Sequence, residues 1–363
     1  MTSFLEKRYI AARINPEEIT IHPEPAVSIL RAQYILSDFQ GLSPKTIPMP
    51  KFDSETNAID VVKDLPDQVK GHTSHGLTPY LCPVLITGPS PGGLGAETAI
   101  SLAHGSPANI ILIGRDVEKC QSTANSVQAI NSSIKVKVVQ AELSSLRSVR
   151  KAARAILNDN SIPTIDAIIN NAGIMAIPLA RNENDYEMQF AANHLGHFLL
   201  ANLLIPKLAP RTGRVVSVSS SGNIYCGVNW DDIYFRNEGS YKPMRGYSQS
   251  KTANILFSVA QKKRGVRSYA VHPGSIQTSL SRHIDLDMAE DITRTIWGMS
   301  LHEAMESPEH TRNPGLEDQD GVFLSDRRPS TDALVVKSWS LDEKDAEPMW
   351  MLSEDLVGEA FDF

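Results

Sequence analysis

From residue 84 onward, short apolar runs alternate with longer stretches in which apolar positions recur every three or four residues. The short runs are VLIT from 84, NIILIG from 109, KVKVV from 135, DAIIN from 166, RVVSVS from 214 and RSYAVH from 267. Near-continuous Val/Ile runs of this length read as strands buried on both faces. GAETAISLAH and SLRSVRKAARAIL, lying between them, carry helical spacing, and Gly105 stands where the first of these helices should stop. Strands alternating with helices call for right-handed crossovers and a parallel sheet, so the pattern predicts a doubly wound α/β fold.

Ahead of this repeat the pattern weakens. The first fifty residues are Pro-rich, SPKTIPMPKFD reads as an extended linker, and SETNAIDVVKDL predicts a helix capped by Ser54. The ten residues 74–83, SHGLTPYLCP, read as a surface loop that shortens the first strand, with Pro83 tolerable at the strand start. The expected organisation is an N-terminal arm over 1–83, an α/β core over 84–280, and a last strand and C-terminal helix within 281–363, in the same domain as the core. Residues 281–320 hold ten acidic side chains against Arg282, Arg294 and Arg312. A solvated acidic face is the plainer reading of that segment, and Met288, Trp297, Met299 and Met305 offer it an adaptable apolar wall.

Composition narrows the partners. The net charge of the 363 residues is −7, and no basic stretch with interleaved aromatics occurs, which argues against nucleic acid. Cys82, Cys120 and Cys226 are scattered, with neither a disulfide framework nor metal-ligand spacing, as expected in a reducing compartment. No run of about 18 apolar residues predicts a membrane span, and the start lacks a secretory signal. The expected location is the cytoplasm.

The stretch LITGPSPGGLGAETA carries the first candidate chemistry. Gly88, Gly93 and Gly95 follow a strand and open a helix, the setting in which glycines let the backbone approach a pyrophosphate at a helix N-terminus. About 20 residues on, where a carboxylate would read the free ribose hydroxyl of NAD, stand Arg115 and Asp116. A guanidinium there favours the 2′-phosphate of NADP, and Asp116 reads as the cap of the next helix.

In GYSQSKTANILF, Tyr247 and Lys251 are four apart and face the same way on a helix. An ammonium group beside a tyrosine favours the phenolate and makes it a usable general acid/base. His194 and His197 have only each other as potential metal ligands and read as packing.

TGPSPGGLG, IINNAGI, AANHLGHF, GRVVSVSSSG, YSQSK and VHPGSIQT occur in the order of one family. With them the chain resembles the short-chain dehydrogenase/reductases, in particular fungal reductases related to retinol dehydrogenases and WW-domain oxidoreductases. The resemblance implies a Rossmann fold with a helical C-terminal cap. It implies Tyr247 as general acid/base and Lys251 as its partner, which also binds the nicotinamide ribose. By the same resemblance Ser220, rather than Ser219 or Ser221, holds the substrate oxygen, and Asn193 holds a water between Lys251 and solvent. The cofactor would be bound by Gly88, Gly93, Leu94, Gly95, Arg115, Glu142, Asn170, Ile276 and Thr278 together with Tyr247 and Lys251. The turn is one residue longer than the family's, with Pro89, Ser90, Pro91 and Gly92 between the first two glycines, and Gly92 is expected to absorb the extra length.

The expected activity is NADP(H)-dependent interconversion of a ketone or aldehyde with an alcohol on a bulky, mostly apolar small molecule, with tailoring of a secondary metabolite as a role. The alternative is a nucleotide-binding sensor or scaffold without turnover. Homodimers or homotetramers through the helices carrying Asn193 and Tyr247 are a further implication of the resemblance.

Overall fold

Each of the six apolar runs forms a strand in the computed structural model, which describes residues 83–363 apart from 275, 277, 298–322, 326, 327, 332 and 334. The strands are β1 (Val84–Thr87), β2 (Asn109–Gly114), β3 (Lys135–Gln140), β4 (Ala167–Asn170), β5 (Arg214–Val218) and β6 (Arg267–Val271). A seventh parallel strand, β7 (Phe323–Ser325), extends the sheet, and β8 (Arg328–Pro329) closes its edge antiparallel. The order is β3-β2-β1-β4-β5-β6-β7-β8. It reverses direction between β1 and β4, the place where a doubly wound sheet opens a crevice at the carboxyl ends of its strands. The helix expected over 54–65, the loop 74–82, and Met299 and Met305 lie outside the described residues.

One face of the sheet is covered by α1 (Leu94–Ala103) and α2 (Val117–Ile130), whose Ala99, Leu102, Ala124 and Val127 pack on Ile86, Ile110 and Leu112. Asp116 caps α2 as expected, its Oδ1 accepting the Lys119 N–H at 3.1 Å. The other face holds α3 (Leu146–Leu157), α4 (Gly196–Leu204) and α5 (Pro243–Lys263). A short α turn, Met188–Phe190, and a π turn, Ala191–Leu195, lead into α4. Continuing along the chain, α6 (Leu286–Trp297) and α7 (Ser338–Leu341) precede the last helix, α8 (Glu343–Val357).

Every residue of α5 from Gly246 to Gln261 is buried, which a helix lying on a sheet achieves only when its outer face is covered too. The cover is α8. The ring of Trp350 packs 5.0 Å from that of Phe198 and 6.0 Å from that of Phe257, between centroids. The Arg264 guanidinium lies 4.0 Å over the Trp350 ring and pairs with Glu347 at 2.7 Å. α8 thus covers α5 and Phe198 of α4 from within the chain.

Candidate active site

At the carboxyl end of β1 the chain turns through Gly88, whose φ of +66° lies in the left-handed region. A Cβ there would sit 2.8 Å from the Ala172 Cα, so the close approach of the two strand ends needs a glycine. Gly92 is also left-handed, at φ +70°, with nothing within 4 Å of a built Cβ. The added residue thus bulges outward while Gly93 N–H closes the turn on the Ser90 carbonyl at 3.0 Å. No side chain caps α1, and while the Ala96 and Glu97 N–H groups donate to the Gly93 carbonyl, the cap leaves the preceding helix-end N–H groups to a bound anion.

The turn opens on a cleft of about 640 Å³. Gly88, Gly93, Leu94, Arg115, Glu142, Ile276 and Thr278 line it, as do Ser220, Tyr247 and Lys251. Two expected cofactor residues do not. Gly95 stands behind the turn, where a Cβ would lie 2.5 Å from Asn171 Nδ2. Asn170 is buried at the end of β4, its Nδ2 directed to Ser217 Oγ at 3.4 Å and its Oδ1 without a hydrogen-bond partner. Its neighbour Asn171 lines the cleft instead and donates from Nδ2 to the Thr87 carbonyl at 2.9 Å.

At one end of the cleft, Arg115 and Lys119 present two cationic side chains. Arg115 stands 3.6 Å from Glu142, but its side chain is 78% exposed, so the pair is screened and worth little. Lys119 escaped the sequence reading. Its position four residues after Arg115, in the first turn of α2, was the available signal.

At the other end, Lys251 and Tyr247 lie on the same face of α5, with Lys251 Nζ 5.6 Å from the centroid of the tyrosine ring. Lys251 is buried and donates to the Val218 carbonyl at 2.8 Å. The three consecutive serines have separate fates. Ser219 Oγ donates to the Lys251 carbonyl at 2.8 Å, and the Ser221 N–H donates to His272 Nδ1 at 3.1 Å. Ser220 Oγ accepts the Gly222 N–H at 2.9 Å. A Cβ on Gly222 would meet Tyr247 Cε1 at 2.9 Å and Ser220 Oγ at 3.3 Å, so the bare backbone there keeps the tyrosine ring beside Ser220.

Asn193 sits in the π turn. Its Oδ1 accepts the Ile174 N–H at 2.8 Å, and its Nδ2 donates to the Ile174 carbonyl and to Ser250 Oγ, both at 2.9 Å. The side chain thus braces the segment after β4 against α5. A water between Lys251 and solvent, as expected for this residue, would have to meet an acceptor of Asn193, because both amide hydrogens are taken.

Tyr247 packs with Ala176 and Met244, and with Met175, Tyr225, Ile284, Met288 and Ile292 around them. The last three come from the segment after β6, and Met288 and Ile292 bring α6 against this cluster. Asp291 of α6 accepts the Tyr225 O–H at 2.5 Å and stands 3.4 Å from Lys242 Nζ. Burial, with that carboxylate beside it, pushes the Tyr225 phenol up to about 12. No metal-binding group of His, Cys, Asp or Glu occurs among the described residues, and His194 and His197 are both buried.

The chain is similar to known proteins along most of its length. A family model described as short chain dehydrogenase matches residues 83–231. Human retinol dehydrogenase 13 is 34% identical over 288 residues, spanning 76% of this chain and 84% of that protein. Mouse retinol dehydrogenase 14 is 34% identical over 306 residues, spanning 78% and 86%. The solved structure of an uncharacterised protein from Mycobacterium paratuberculosis is 32% identical, with a TM-score of 0.56, covering 78% of this chain and 95% of that one. The glycine cradle and the uncapped helix end suit a nicotinamide dinucleotide. Sheet order, cleft and kinship agree: the chain belongs to the short-chain dehydrogenase/reductase family of nicotinamide-dependent oxidoreductases.

Proposed function

We propose that this protein is an NADP(H)-dependent oxidoreductase that interconverts a ketone or aldehyde with an alcohol on a bulky, mostly apolar small molecule. One observation carries the reading: Ser220, Tyr247 and Lys251 meet in the same cleft into which the glycine turn opens.

When bound, a reduced nicotinamide supplies the hydride that the carbonyl carbon accepts. The Tyr247 O–H gives its proton to the carbonyl oxygen in that direction and takes it back from the alcohol in the other. Ser220, whose Oγ already accepts the Gly222 N–H, donates its own hydrogen to the same oxygen. The Lys251 ammonium, anchored on the Val218 carbonyl, stabilises negative charge on the tyrosine oxygen. Asn193 holds the π turn in place beside Lys251. The apolar side chains of Met175, Leu280 and Ile284, which line the cleft, support an apolar substrate.

The choice of NADP(H) rests on Arg115 and Lys119, which offer a 2′-phosphate charge-assisted hydrogen bonds. Fluorescence titration with NADPH and NADH tests it. We expect tighter binding of NADPH, and an Arg115→Ala variant weakened about tenfold or more toward NADPH alone. Equal affinity for the two nucleotides in the wild-type protein would overturn the preference.

A further inference from the structure

His197 lies on the first turn of α4, outside the cleft, yet its two ring nitrogens join the two halves of the site. Nδ1 is 2.9 Å from the carbonyl oxygen of Asn193, in the π turn, and Nε2 is 2.8 Å from Thr87 Oγ1, the last residue before Gly88. Thr87 Oγ1 in turn accepts the N–H groups of Asn171 and Ala172, both at 2.9 Å. A carbonyl oxygen can only accept, so Nδ1 carries the ring hydrogen and Nε2 is bare. The Thr87 hydroxyl has two acceptors in reach, the Ile169 carbonyl at 3.4 Å and the bare Nε2 at 2.8 Å, and the shorter contact takes its hydrogen.

A protonated imidazole would point an N–H at an oxygen that already accepts two. Burial holds the ring well below its usual range, at about 4, with the Lys251 charge adding to the effect. A neutral ring of fixed tautomer is thus a rigid strut between the strand end that carries the glycine turn and the π turn that carries Asn193.

We propose that His197 is a positioning residue that couples the cofactor turn to the catalytic π turn through the directed chain Thr87 O–H to Nε2 and Nδ1–H to the Asn193 carbonyl. The inference rests on the reading of Gly88 and Asn193 as parts of a nicotinamide site. Its consequence is cooperative: loosening either end of the strut loosens the seat of the dinucleotide.

Two measurements on the full chain test it. In the spectrum of ¹⁵N-histidine-labelled protein, with His197 assigned by its absence from a His197→Gln variant, we expect Nδ1 protonated and Nε2 unprotonated from pH 5 to 8. The reverse tautomer, or titration near pH 6.5, would overturn the proposal even where a variant fails to fold. The second measurement is NADPH affinity in a cycle of Thr87→Val and His197→Leu. Each change should weaken binding roughly five- to tenfold, Thr87→Ser should restore it, and His197→Leu should add less than about twofold in the Thr87→Val background. Losses that multiply in the double variant, or a Thr87→Val protein that binds as the wild type does, would contradict it. Failure of the wild-type protein to bind NADPH would instead remove the reading of the site, while the tautomer would still decide the strut.

Discussion

Tyr247 and Lys251 show how far a single residue pair can be read without a structure. They are one helical turn apart, so local geometry alone puts both side chains on one face. Ser220 was harder, because three serines in succession differ only in what the neighbouring elements offer each of them. Asn170 and Asn171 part at the end of β4. They are adjacent in sequence but sit on opposite sides of a strand end, and the pleat gives the cleft to Asn171. Asn171→Ala should therefore weaken NADPH binding by about tenfold, since its amide holds the backbone of the glycine turn, while Asn170→Ala should change it by less than about twofold. Fluorescence titration of the two variants checks this, and the opposite ranking would restore Asn170 to the site.

At the scale of elements, the six central strands and the helices between them were legible because burial on both faces leaves an unbroken apolar signature. β7 and β8 were not located, since three residues and two residues carry no period. The role of α8 was equally hidden. Its Trp350 lies under Arg264 and against Phe198 and Phe257, partners that are distant in sequence and brought together only by the crossovers. Trp350 is almost fully buried, so Trp350→Ala should cost about 3–5 kcal/mol of stability, read as a lower midpoint in urea unfolding. A shift worth less than about 1 kcal/mol would mean that α8 is not part of the cooperative core.

For the whole molecule, the two buried histidines contribute to the acid limb of stability, alongside Asp232, Asp291 and Glu347, whose carboxyls are held below their usual range by hydrogen bonds and neighbouring cations. Burial holds His194 at about 3 and His197 at about 4 in the folded state, against 6.5 for an unperturbed ring. As pH falls through 6.5 the unfolded chain takes up protons that the folded chain refuses, so stability declines from there down to about 4 for His197 and about 3 for His194. Glu187 and Asp166, raised by burial, act in the opposite sense. Comparison with a His194→Gln variant isolates one histidine: its urea stability should fall less steeply between pH 6.5 and 4 than that of the wild-type protein. Equal slopes would show that His194 is not buried as a neutral ring. Among the described residues no helix is long and apolar enough to cross a membrane.

In the proposed reaction Tyr247 moves the proton, in a cleft that holds a nicotinamide. Oxidation of NADPH with a panel of apolar ketones and aldehydes, followed by absorbance for the wild-type protein and for Tyr247→Phe, tests it most directly. We expect the variant still to bind NADPH and to lose turnover by a factor of about 10²–10⁴. A Tyr247→Phe protein that turns over at the wild-type rate would contradict it.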